Sequence, residues 1–223
     1  MMRQNWWKVL GAILLLYSVV AGFLGDVPKL FILHETIRNL YFHVPMWFSM
    51  TFLYFISVVY SIKYLSSGKP EHDFMAVESV NVGIIFCLFG LLTGMLWANV
   101  TWGDPWPSDP KLNGSAIATL MYLAYLVLRN ALEEEQKRAK ISALYNVFAF
   151  PIMIVLLFVL PRMTDSLHPG NGGNSTFSDI DMDNQMRRVF YPAVLGWILI
   201  GTWVMTLRYR VRILDYEDKN ISA

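Results

Sequence analysis

Ile141-Ser142-Ala143-Leu144-Tyr145-Asn146-Val147-Phe148-Ala149-Phe150-Pro151-Ile152-Met153-Ile154-Val155-Leu156-Leu157-Phe158-Val159-Leu160 is a run of 20 residues with no charged side chain. A helix rises about 1.5 Å per residue, so the run reaches about 30 Å, the thickness of a bilayer's hydrocarbon core. A lone strand in lipid would leave its amides and carbonyls unpaired, whereas a helix pairs them within the segment. Working outward, five more stretches are of about that length and mostly apolar: Trp6 to Leu24, Val44 to Tyr64, Val80 to Ala98, Leu112 to Leu132 and Val189 to Leu207. The expectation is an all-α integral membrane protein of six transmembrane helices. Residues 1–223 form a single membrane domain in this reading, with a tryptophan-rich loop at about 97–111.

Composition agrees. The chain is 55% hydrophobic and only 16% charged, with a mean hydropathy of +0.41, outside the soluble class. A net charge of +1 gives no ground for a nucleic-acid partner. The single cysteine, Cys87, excludes an internal disulfide. Its apolar neighbours Ile84-Ile85-Phe86-Cys87-Leu88 read as a site for a buried, inert thiol.

Charge placement orients the bundle. With both termini cytoplasmic, 12 of the 18 basic residues fall inside, among them Arg3, Lys8, Lys63, Lys69, Arg129, Lys137, Arg138, Lys140 and the tail Arg208 to Lys219. Lys29, Arg38, Lys111, Arg162, Arg187 and Arg188 remain outside. The positive-inside rule favours this arrangement, and it argues that the first run is a span and not a cleaved signal. Arg208-Tyr209-Arg210-Val211-Arg212 reads as an anchor at the headgroups. The last outward connection carries Gly170 to Thr176 and then Asp179, Asp181 and Asp183, a composition that resists regular structure. Its Asp spacing lacks the glycine and the distant Glu of a calcium loop.

The chemically unusual residues lie at the outer ends of the spans. Trp97-Ala98-Asn99-Val100-Thr101-Trp102-Gly103-Asp104-Pro105-Trp106-Pro107-Ser108-Asp109-Pro110-Lys111 admits two readings. One is an interfacial aromatic belt. The other is a shaped aromatic platform for a flat apolar ligand, favoured by the prolines and glycine that define the backbone path. His43, in Phe42-His43-Val44-Pro45, stands at the start of the second span with Pro45 in its first turn. His168 follows the fifth span at comparable depth. Each histidine taken alone is as well explained by ordinary hydrogen bonding. Together, facing one pocket walled by tryptophans, they could supply the two axial nitrogens of a haem iron. Zinc fits less well, since it asks for more close ligands and no second cysteine is present. Arg38 and Lys111 are the cations available to haem propionates, with snorkelling to headgroups as the alternative. Asp109, flanked by Pro107 and Pro110, is expected to hold the loop by accepting backbone hydrogen bonds. His34 reads as structural or surface, and His72 as plain solvated surface.

The loop from Trp102 to Asp109 resembles the tryptophan-rich (WWD) signature of haem-handling membrane proteins of cytochrome c biogenesis. The segment Arg38-Asn39-Leu40-Tyr41-Phe42-His43-Val44-Pro45, the loop after the third span and Leu167-His168-Pro169 after the fifth are together similar to the haem exporter protein C (CcmC) family. Trp102, Gly103, Trp106 and Asp109 keep the pattern. Pro105 and Ser108 stand where tryptophan is common, and Lys111 where arginine is usual.

The resemblance implies a protein of the bacterial inner membrane that displays a transiently bound haem b on the periplasmic side. It would pass the haem to a membrane-tethered haem chaperone (CcmE-like), beside the ABC-type ATP-binding and permease subunits of the same pathway. The family's two outer histidines are taken as haem ligands and map onto His43 and His168; its basic residues near the propionates map onto Arg38 and Lys111. A delivery subunit is expected rather than an enzyme: no G-x-x-x-x-G-K-S/T motif is present, so any ATP-driven step belongs to a partner. Two rival classes remain: a haem-containing membrane oxidoreductase subunit, which should place histidine pairs inside its helices, and a small transporter or structural subunit without haem, whose tryptophans only anchor it.

Overall fold

The computed structural model describes residues 2–29, 31–168 and 182–222. Six helical segments are long and apolar enough to cross a membrane. They are α1 (Met2–Leu24), α2 (Leu40–Ser67), α3 (Pro70–Trp102), α4 (Pro110–Asn130), a fifth span built from α5 (Glu135–Ile154) and α6 (Leu160–Met163), and α7 (Asn184–Ser222). The all-helical, six-span expectation holds. Most of the helices outrun the apolar runs that announced them, and several of their ends are defined by glycine or proline. Gly68 at φ 67° closes α2 and Gly103 at φ 78° closes α3, both left-handed positions that glycine adopts without strain. Pro70 and Pro110 open α3 and α4 where a missing N–H costs nothing.

The second span begins earlier than its apolar run. A 3₁₀ helix, His34–Asn39, leads straight into α2, so Pro45 lies inside the helix and His43 is its fourth residue. The fifth span changes pitch before it ends. A π turn, Val155–Val159, separates α5 from α6, and Leu160 N–H reaches back to the Val155 carbonyl. Pro161, next in line, has no N–H to continue the ladder, and a wider turn relieves its ring.

α2 is central, packing on α3, α5 and α7, while α1 leans on α7 and α4 on α5. Lipid gives no hydrophobic reason for helices to associate, so close packing must hold them. Gly11 and Gly196 let α1 and α7 touch: a Cβ at either would come within 3.0 Å of the other helix. The main core gathers Met50, Leu53, Tyr54, Val80, Tyr122 and Met153, with Tyr54 and Tyr122 stacked at 3.6 Å. Cys87 is buried and bonds the Thr119 hydroxyl at 3.0 Å, as an inert thiol should.

The end opposite the tryptophan loop is closed by charge. Arg129 on α4 forms a two-pronged pair with Asp73 on α3, both side chains under a tenth exposed. Glu78 on α3, 2% exposed, accepts from Arg208 and Arg212 of α7 at 2.6 Å each. This corrects the headgroup-anchor reading for Arg208 and Arg212, whose guanidiniums are tied to a buried carboxylate. His72 keeps its place at the surface, where its Nδ1 lies 2.8 Å from the Ser67 hydroxyl beside the α2 terminus in an exposed contact.

Candidate functional site

Asp109 is the joint of the loop end. It is 0% exposed, and as the N-cap of α4 its Oδ1 accepts from the Lys111 and Leu112 amides at 2.9 and 3.2 Å. Its Oδ2 accepts from the Ser166 hydroxyl at 2.8 Å and the Leu167 amide at 2.7 Å, across to the segment after α6. The expected role in holding the loop is the geometry found. The structure adds a further partner: His168 Nδ1 lies 3.0 Å from Oδ1. Burial would raise the Asp109 pKa, but bonds from His168, Ser166 and Leu167 outweigh it and hold the carboxyl well below its usual range.

A carboxylate only accepts, so Nδ1 of His168 carries a proton, and in the neutral imidazole Nε2 keeps its lone pair. The Trp102 ring stands edge-on to the imidazole at 5.1 Å. Trp102 ends α3, and Gly103 turns the chain out of it, with its amide bonded to the Asn99 carbonyl at 3.0 Å. Trp106 is pinned through its amide to Asp104 Oδ1 at 2.8 Å and through Nε1 to Asn113 Oδ1 at 3.2 Å.

His43 is held in a parallel way. Its Nδ1 lies 3.1 Å from Thr93 Oγ1, and that hydroxyl donates to the Phe89 carbonyl of its own helix at 2.7 Å. With the hydroxyl's proton given to Phe89, Thr93 Oγ1 can accept from His43 Nδ1, beside the Gly90 carbonyl that also bonds the ring, and in that tautomer Nε2 keeps its lone pair. Trp47 and Trp97 flank the ring edge-on at 6.2 and 5.9 Å. A Cβ on Gly94 would come 2.7 Å from His43 Cε1, and one on Gly90 would come 2.9 Å from Trp47. His43 and Trp47 of α2 thus lie over Gly90 and Gly94 of α3, each pair four residues apart.

Two cations were singled out, and they differ. Arg38 donates to the Gly22 and Gly25 carbonyls at the end of α1 at 2.9 and 2.6 Å, and pairs with Glu35 at 2.7 Å. Lys111 is half-buried in the first turn of α4, and among the described residues its ammonium has no hydrogen-bond or ion-pair partner. His34 is exposed. Gly170 to Thr176, Asp179 and Asp181 lie outside the described residues. Thr93, Gly94, Trp47, Ser166 and Asn113 were not anticipated. For Gly94 a signal existed: Gly90-Leu91-Leu92-Thr93-Gly94 is a G-x-x-x-G spacing, which marks close helix approach in a membrane.

Residues 2–223 match the family model described as Heme exporter protein C. The chain belongs to this family. The CcmC assignment agrees with individual relatives. Heme exporter protein C of Paracoccus denitrificans is 24% identical over 208 residues, covering 93% of this chain and 85% of the relative. That of Rhodobacter capsulatus is 26% identical over 212 residues, with the same coverage. The cytochrome c biogenesis protein CcsA of Prochlorococcus marinus shares a shorter stretch, 34% identical over 89 residues, 40% of this chain and 28% of that protein. As a CcmC family member this is a multi-pass membrane protein of haem export and cytochrome c biogenesis. Haem suits the donor set present: two imidazoles at one end, each with Nε2 uncommitted, and a glycine where a methyl group would crowd one of them.

Proposed function

We propose that the chain holds haem at the periplasmic face of the bacterial inner membrane, with both termini cytoplasmic, and hands it to a membrane-tethered haem chaperone for cytochrome c maturation. His43 and His168 would hold the iron through their imidazole nitrogens. Lys111 faces a propionate, the Arg38 guanidinium being engaged with Glu35 and the end of α1. Trp102 and Trp106 wall the bound ring, and Asp109 and Gly103 set the loop that carries them. ATP-binding and permease subunits of the pathway act beside it. The observation that carries this reading is the matched placement of the two imidazoles: in both, Nδ1 lies within hydrogen-bond distance of an oxygen, Thr93 Oγ1 at 3.1 Å or Asp109 Oδ1 at 3.0 Å, an arrangement that would turn Nε2 toward a metal.

The experiment is an absorption spectrum of the purified full chain loaded with ferric haem, for the wild type and for His43→Ala and His168→Ala. A low-spin, bis-imidazole Soret band in the wild type is expected, with loss of low-spin character or of haem in either variant and recovery on adding imidazole. His34→Ala and His72→Ala should match the wild type. A spectrum that both loop-end variants leave unchanged would overturn the reading. Orientation is read separately: a reporter fused after Ala223 should be active only in the cytoplasm.

A further inference from the structure

The two imidazoles are oriented alike but backed by different chemistry. Behind His168 stands Asp109, which accepts from Lys111, Leu112, Ser166, Leu167 and His168. Three of those donors are backbone amides, which can only donate, so the group they surround is a carboxylate. A carboxylate drawing on Nδ1–H raises the basicity of the opposite nitrogen and fixes the ring's orientation. Behind His43 stands a neutral hydroxyl, Thr93, whose proton is already given to Phe89. It fixes the tautomer without adding charge, and so leaves Nε2 of His43 the weaker donor. His168 lies in a connecting segment and His43 on a helix, which by itself would suggest the opposite order of firmness. The segment is nonetheless tied to Asp109 at three successive residues, Ser166, Leu167 and His168.

We propose that the axial pair is unequal: His168, backed by Asp109, is the firm ligand, His43, backed by Thr93, is the one that lets go first, and Thr93 is the positioning residue that keeps it weak. This rests on the haem-holding reading above. It gives the delivery step a direction, since the face that opens to an incoming ligand is the one His43 vacates. A hydroxyl serves where a carboxylate would bind too firmly for a carrier.

The test uses the full chain in lipid nanodiscs loaded with ferric haem b and mixed with excess apomyoglobin as haem acceptor. Loss of haem is followed by absorbance, with low-spin signals recorded by electron paramagnetic resonance. His168→Gly should release haem at least about tenfold faster than His43→Gly, the scale of a carboxylate–histidine contribution to metal affinity. Thr93→Ser should match the wild type, and Thr93→Asp should slow release. Should Thr93→Asp fail to fold, the midpoint potentials of the two glycine variants, each refilled with imidazole, serve in its place. The variant that retains His168 should have the lower potential. Equal release rates, faster loss from His43→Gly, or the reverse order of potentials would overturn the inequality while leaving the haem reading intact. Low-spin spectra unchanged in both glycine variants would instead remove the haem reading, and the inequality with it.

Discussion

The two ends of the bundle handle polar groups in opposite ways. At the end away from the tryptophan loop, Asp73 and Arg129 cancel each other, and Glu78 is taken up by Arg208 and Arg212 with Asn81 in support. At the loop end, Asp109 and Arg38 are committed. Nε2 of His43, Nε2 of His168 and the Lys111 ammonium are left without a partner among the described residues. An end whose polar groups satisfy one another has done its work once folded. An end that holds two nitrogen donors and a cation in reserve is built to receive something with an acceptor site and negative charge.

That contrast can be broken from either side. The largest effect should come from Arg129→Met, which leaves Asp73 buried and unpaired at a cost of about 3–5 kcal/mol. Thermal unfolding in detergent should register the loss, and the double variant Asp73→Leu with Arg129→Met should recover most of it. The spectrum of bound haem should not move, because the perturbed groups belong to the closed end; a spectral change would mean the two ends are not separable.

Gly94→Ala should act in the opposite sense. A methyl group 2.7 Å from His43 Cε1 forces the imidazole aside at about 1–3 kcal/mol of packing strain. The decisive reading is the low-spin signal, which should weaken as it does in His43→Ala. An unaltered signal would show that α3 yields before His43 does.

The smallest effect is in acid. The folded-state pKa of Asp109 is lowered, so the carboxylate stabilises the folded chain above its unfolded value of about 3.9, and that contribution fades as pH falls below it. In haem-free protein, the difference in melting temperature between wild type and Asp109→Asn should be full at pH 6 and shrink as pH is lowered from 4 toward 3. A constant difference would assign the stabilisation to hydrogen-bond geometry alone.

The sequence carried the six spans because a membrane asks one coarse thing of a helix, about 20 apolar residues. It also carried the placement of His43 and His168 at one end, which follows from counting crossings. Asp109 as a loop-holding acceptor was legible from its prolines. The pairing of Glu78 with Arg208 and Arg212 was not, since the partners lie 130 and 134 residues away and a basic tail reads equally well as lipid contact. Thr93 was invisible for a different reason: inside an apolar helix a threonine ordinarily bonds its own backbone, as this one does, and only the fold shows the imidazole using the hydroxyl's other side.

Asp109 and His168 are separated by 59 residues of chain. At about 5–20 residues per second of synthesis, Asp109 leaves the ribosome about 3 to 12 s before the imidazole it will orient. During that interval the carboxylate can cap its helix, but the second nitrogen does not yet exist. Until His168 is made, a nascent chain offers haem His43 alone, so under the inequality proposed above any early hold would be that of the weaker half.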